Sequence, residues 1–246
     1  APFTPVTLDY CEKERSLSDF SESCHGDNSS KIINELYLPG FSAFVGADIL
    51  SGAAYLNIGR TKKYDLLIAL GTNGELLLIN NEKGYATSTA CGPVFDHGVI
   101  GAVYGSECIH GIALSLRGGM IDKTGLIKGI FFDNGITLDG KIVIKQEHVR
   151  RFQMAKAAIY AGILCLMNKA GIDYDSIGNV YISGGFGFYM DVIDAFTTKL
   201  IPKELAGKIT VSGNTSLLGA QMFIMADNGN KEDIRKTEML RRTDIM

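Results

Sequence analysis

Tyr64-Asp65-Leu66-Leu67-Ile68-Ala69-Leu70-Gly71-Thr72-Asn73-Gly74-Glu75-Leu76-Leu77-Leu78-Ile79-Asn80 holds two apolar runs, Tyr64 to Leu70 and Leu76 to Asn80, around a short polar and glycine-rich segment. Runs of this length read as strands, and Asn-Gly between them is a hairpin signal because both residues tolerate positive φ. The expected element is a β-hairpin. At its tip, the backbone N–H groups of Gly71, Thr72, Asn73 and Gly74 could line a concave anion site, with the Thr72 hydroxyl beside them. An ordinary turn accounts for the same four residues.

Outward from the hairpin, Tyr85 to Ala90 reads as a third strand, completing an antiparallel meander before the Gly92-Pro93 breaker. Glycines at 98, 101, 105, 111, 118 and 119 then divide the chain, and short strands such as Ile142 to Lys145 are expected there in preference to long helices. The strongest helical pattern runs from His148 to Ala170. Phe152, Ala155, Ile159, Ile163 and Leu166 recur at helical spacing, and Gly171 is placed to end the helix. Small residues at Ala157, Ala158, Ala161 and Gly162 would let another backbone approach. A strand at Asn179 to Ser183, a helix near Asp191 to Lys199, a strand at Lys208 to Ser212 and a helix from Thr215 to Ala226 follow. A hairpin sheet followed by alternating helix and strand implies α/β layers with a mixed sheet flanked by helices. On the N-terminal side, Asp9 to Lys31 is polar, carries an Asp27-Asn28-Ser29-Ser30 turn cluster and reads as an irregular lead-in.

Charged residues make up 21% of the 246 and the formal net charge is -3, which argues against a nucleic-acid partner held by a broad basic field. Lys156 and Lys169 bracket the longest apolar candidate, Ala157 to Asn168, short of the roughly eighteen residues a membrane span needs. A soluble, cytoplasmic protein is expected. Cys11, Cys24, Cys91, Cys108 and Cys165 are an odd set without a C-x-x-C pair, so neither disulfides, zinc nor an iron–sulfur cluster is expected on this chain. His97, His110 and His148 lack metal-site spacing, and no serine sits in G-x-S-x-G. The chain starts at Ala1 without a secretion-signal profile and is expected to be a piece of a longer protein.

Ser183-Gly184-Gly185-Phe186-Gly187 follows a strand and precedes a helix, a context in which glycines admit a ligand to the backbone near a helix N-terminus. It matches neither the phosphate-loop nor the Rossmann pattern, and an unliganded turn would also explain it. Gly213-Asn214-Thr215 repeats the theme, with Asn214 able to cap the final helix. Gln153, Lys156, Asp191 and Asp194 are polar groups able to reach a nucleotide or Mg²⁺, although a solvated helix face is the simpler account of each, and Glu75 and Asp96 join Lys156 and Asp191 as candidate Mg²⁺ or phosphate contacts. No catalytic residue is singled out.

As an ordered set, these segments resemble the reductive activators of corrinoid proteins, in the C-terminal part of their ASKHA-type ATPase domain. Gly46-Ala47-Asp48-Ile49-Leu50 is similar to the family's G-A-D-I stretch. Leu67 to Glu75 resembles its second phosphate motif, L-I-D-I-G-T-N-G-E, and Gly92-Pro93-Val94-Phe95-Asp96 resembles G-P-A-F-E. Gln153 to Ile159, Gly184 to Gly187 with Asp191, and Gly213 to Ala220 complete the match. The resemblance implies an actin-like and sugar-kinase-like, RNase H-like fold with one subdomain largely complete and the other mostly missing. Residues 1–63 would be a lead-in and remnant of the first ASKHA half, and 64–246 the second subdomain. It further implies ATP and Mg²⁺ in the full-length protein, an iron–sulfur cluster in an N-terminal domain, and a corrinoid protein of a methyltransferase system as partner. O-demethylation is one such setting. Apolar surface exposed on such a piece would favour a homodimer.

Three residues depart from the family pattern. Ala69 replaces an Asp that could organise Mg²⁺ or attacking water, Asp96-His97 replaces Glu-Gly, and His148 stands where an Asp opens the long helix. Three readings stay open at this level: an ATP-using activator module, an interaction module with a degenerate nucleotide site, and a small-molecule kinase. The kinase would need a carboxylate base that the sequence does not identify. No D-x-H-x-x-G corrinoid-binding pattern occurs, so the corrinoid is expected on the partner.

Overall fold

The computed structural model describes residues 45–71, 73–91, 105–140, 142–185, 189–227 and 243–245. The expected hairpin is present: β1 (Tyr64–Leu70) pairs antiparallel with β2 (Gly74–Ile79), and β2 with β3 (Gly84–Thr89). β6 (Ile177–Ser183) and β7 (Ile209–Val211) extend the sheet in parallel on the other side of β1, and β8 (Thr243–Ile245) adds to β3. The resulting order is β7-β6-β1-β2-β3-β8. Of β1, Leu66, Leu67, Ile68 and Leu70 are all buried, as a central strand covered on both faces requires.

Two layers of helix supply that cover. On one face α4 (Gln146–Ala170) crosses β2 and β3, and Gly162 fits there because a side chain would collide with Leu76 and Thr89. Gly171 takes a left-handed conformation and closes α4, as its position in the sequence indicates. On the other face α1 (Ala47–Leu56) packs against α6 (Thr215–Asp227). Gly52 and Gly219 remove the side chains that would hold these helices apart, and Ser51 Oγ donates to Ser216 O while Ser216 Oγ donates to Asp48 O.

Between β3 and α4 the short strand expected at Ile142 to Lys145 is present, and the expectation that helices would be absent there is corrected. The chain forms α2 (Gly105–Arg117), a single turn α3 (Phe131–Asn134), and a hairpin of β4 (Ile136–Leu138) with β5 (Ile142–Ile144). Gly111 does not break α2. It faces Ile144 and Leu138 so closely that any Cβ would clash, and the buried stripe Cys108, Ile109, Ile112 and Ala113 outweighs glycine's helix cost of ~1 kcal/mol. α5 (Val192–Thr197) follows β6 and packs on α2. The lead-in at Asp9 to Lys31 and the Gly92 to Asp96 stretch lie outside the described residues.

Candidate functional site

Parallel pairing brings the C-terminal ends of β1, β6 and β7 to one edge of the sheet, and with them three of the glycine turns. Gly184 N donates to Gly213 O at 3.0 Å, so the turns after β6 and β7 are joined directly. Gly184 has φ 96° and lies against Leu70 O, a position that admits no side chain. Gly213, also at positive φ, delivers the chain into α6, where Asn214 Oδ1 accepts from Leu217 N. Capping by Asn214 is therefore present.

The β1–β2 turn differs in detail from its reading as a positive-φ Asn-Gly pair. Gly74 is the first residue of β2, paired with Leu70 and Thr89, and its left-handed freedom is not used. Its glycine identity follows from Cys91 Sγ and Thr89 Oγ1, which occupy the space a Cβ would fill. Gly71 N–H is spent within the turn on Asn73 O, which removes one donor from the anion nest envisaged there. Thr72, Asp96, Phe186 and Gly187 fall outside the described residues.

Register places Ala69 between Glu75 of β2 and Ser183 of β6, and residues paired this way share a face of the sheet. The face is the one covered by α1. Glu75 lies beside the Asp48 carboxyl and receives a long 3.4 Å hydrogen bond from Gly46 N. Desolvation, then the hydrogen bond and charge of Asp48, push the Glu75 acid up to about 7. Among the described residues, three buried side-chain oxygens have no hydrogen-bond partner: Glu75 Oε2, Ser183 Oγ and Thr215 Oγ1. Thr215, fully buried, faces Gly52 at the start of α6. Orphaned buried polar atoms are costly, roughly 1–3 kcal/mol each, so these three near joined glycine turns make the edge the candidate site for polar groups. Asp48 and Ser183 were legible only as parts of motifs; pairing of their elements supplies the chemical reason to choose them.

Other candidates have different surroundings. Asp191 caps α5, its Oδ1 accepting from Ile193 N and Asp194 N. Asp194, expected on a solvated face or near a nucleotide, is buried and held by Arg117 at 2.8 Å and His110 Nδ1 at 2.5 Å. Lys156 donates to Thr198 O at 2.8 Å and lines a cleft that contains none of the glycine turns, as does Gln153. His148 is buried in the first turn of α4, where its Nδ1 accepts from Lys145 N at 2.9 Å. Burial pushes its pKa down, so the neutral imidazole does the capping an Asp could do. Among the described residues no group of three or more His, Cys, Asp and Glu converges as a metal site, and no helix is long and apolar enough to cross a membrane.

A model of the RACo C-terminal domain, the ASKHA domain, matches residues 100–244. The chain is 32% identical over 245 residues to the corrinoid activation enzyme RamQ of Eubacterium limosum, covering 77% of this chain and 41% of that protein. It is also 32% identical over 124 residues to a Co(II) methylated amine-specific corrinoid protein reductase of Methanosarcina barkeri, covering 50% of this chain and 22% of that one. A solved structure of a reductive activator for a corrinoid, iron–sulfur protein superimposes with TM-score 0.74 at 25% identity, over 85% of this chain and 41% of its own. The chain thus spans less than half the length of each of these relatives.

Proposed function

The chain belongs to the family of RACo-type C-terminal ASKHA domains of corrinoid activators, and on that premise we propose that it is the ATP-binding part of a longer cytoplasmic protein that returns corrinoid cobalt from Co(II) to Co(I). In this reading residues 1–63 are a lead-in and a remnant of the first ASKHA half, and 64–246 form the second subdomain. The observation that carries it is the set of unpartnered buried oxygens on Glu75, Ser183 and Thr215 at the edge where the glycine turns meet. Phosphates would lie toward Gly71 to Gly74, adenosine toward Gly184 to Gly187, and Gly213 to Thr215 would close the site.

Mg²⁺ fits this donor set. Asp48 and Glu75 are adjacent carboxyls, one with a free buried oxygen, and magnesium is commonly held by one or two carboxylates together with nucleotide phosphates. When bound, the cation neutralises phosphate charge. Glu75 would release its proton to become a ligand, which its raised pKa allows near neutrality. An iron–sulfur cluster does not fit the described cysteines: the Cys91 and Cys108 thiols are buried and pushed up by desolvation, and Cys165 lies on α4 apart from any ligand group. The electron would therefore come from another region of the longer protein, and the corrinoid from a methyltransferase partner.

Ala69 favours a second reading, in which nucleotide is bound without turnover and the domain serves to dock the corrinoid protein. Its methyl group stands between Ser183 and Glu75, where a carboxylate could have oriented water. Calorimetric titration with MgATP, followed by a phosphate-release assay, separates the two. Saturable binding with turnover supports the ATPase and overturns the docking module, whereas binding without turnover, or no binding in this chain and its full-length parent, overturns the ATPase and supports the docking module with its degenerate nucleotide site.

A further inference from the structure

α2, α4 and the segment after α5 enclose a cleft of about 330 Å³. That volume is within the range of small-molecule sites. Its floor is apolar, formed by Ile112, Leu116, Ile121, Val149 and Phe152, and its rim carries Arg117, Lys123, Lys156 and Lys199. Asp122 is the one carboxylate among the lining residues, and its Oδ1 is already occupied by Thr124 N, Thr124 Oγ1 and Leu126 N. Arg117 is committed to Asp194 and Thr197, which leaves Lys123, Lys156 and Lys199 against the single Asp122 carboxylate, an excess of positive charge among the lining residues.

The walls are tied in place without a ligand. Gln146 bridges the loop to α4, donating from Nε2 to Gly125 O and accepting from Ile127 N, while Arg150 and Gln153 both donate to Thr124 O. Across the cleft, Lys156 donates to Thr198 O and Thr198 Oγ1 donates to Asp194 O. A fixed cavity loses little ordering entropy when it fills. Burial, with the Lys199 charge second, pushes the Lys156 pKa down, as expected where cations are crowded in a half-dry space.

We propose that this cleft is a second ligand site, separate from the glycine turns, which binds a small organic phosphate with its apolar body on Leu116 and Phe152 and its phosphate against Lys123, Lys156 and Lys199. A dianion answers several ammonium groups at once, and inorganic phosphate alone leaves the apolar floor uncovered.

The test is titration of the full chain with phenyl phosphate, read by displacement of anilinonaphthalene sulfonate fluorescence, beside benzoate and inorganic phosphate. Phenyl phosphate should displace the dye saturably and bind at least tenfold more tightly than benzoate or inorganic phosphate. Lys123→Glu, on the exposed rim, and Lys156→Met should each weaken it at least fivefold with the unfolding midpoint little changed. Excess MgATP should leave the phenyl phosphate curve in place. Equal affinity for phenyl phosphate and benzoate, indifference to both lysine substitutions, or loss of the curve in MgATP with the lysine variants unaffected would each overturn the assignment.

Discussion

Half-buried Glu75 and buried Asp194 are carboxyl side chains held by the same fold in opposite kinds of surroundings. Asp194, where α2 meets α5, has both oxygens engaged, Oδ1 by Arg117 and Oδ2 by His110, and its own N–H bonded to Asp191. Glu75, under α1, has one long bond from Gly46 and a hydrogen bond with the neighbouring Asp48 carboxyl, and its Oε2 has none. A saturated buried acid locks elements together. An unsaturated one is left open to a group that brings positive charge or protons, and this difference separates scaffold from candidate site more clearly than either residue's type.

The comparison breaks first at Asp194. Asp194→Ala leaves Arg117 and His110 without their acceptor, and about 2–4 kcal/mol of stability should be lost in urea unfolding; both partners are partly exposed, which keeps the loss below a fully buried pair. A loss under ~1 kcal/mol would remove Asp194 from the scaffold.

Ala69→Asp sharpens the other side. A third carboxyl beside Glu75 and Asp48 should destabilise the chain at pH 8 by roughly 1–3 kcal/mol, with MgATP restoring most of it. Destabilisation that MgATP leaves untouched would argue against a cation site here.

Glu75→Gln should have a smaller effect, of opposite sign. Because the folded pKa of Glu75 is raised to about 7, its neutral form is the one the fold favours. Stability from this group is complete below its ordinary value near 4.5 and declines as pH rises through about 7. The amide should therefore stabilise the chain at pH 8, by about 1 kcal/mol after allowance for solvent screening, and give no gain at pH 4.5. Thermal unfolding at the two pH values checks it, and an equal shift at both would contradict the raised pKa.

The smallest effect belongs to His148, a case of the reverse sign. Its pKa is lowered, so its contribution is present above 6.5 and lost as pH falls through the folded value. In a Glu75→Gln background, which removes the opposing titration, stability should fall by about 0.5–1 kcal/mol on acidification, and His148→Ala should flatten that profile.

Much of the frame was legible along the chain. The β1–β2–β3 meander, α4 with its Gly171 stop, and the β6-α5-β7-α6 alternation follow from apolar period and terminal glycines, which act within a few residues. The mixed ASKHA sheet implied by the family resemblance is present as well. Two glycine signals misled. Gly111 reads as a breaker and is a packing residue inside α2, while Asn73-Gly74 reads as a positive-φ turn although Gly74 belongs to a strand. Among the described residues, consecutive positive φ occurs at Asp139-Gly140, between β4 and β5. A glycine's sequence context does not distinguish a need for backbone freedom from a need for empty space.

What the sequence determined by itself is the order of elements and the ordered glycine turns, because hydrophobic period, chain reversal and helix stops are local properties. Only the tertiary structure decided which polar groups meet. Asp48 reaches Glu75 across 27 positions, Arg117 reaches Asp194 across 77, and Gly184 is bonded to Gly213 because β6 and β7 lie side by side. Whether a buried carboxyl is saturated or left open depends on those long-range partners, and pairwise contact at that distance leaves no periodic trace in a single chain.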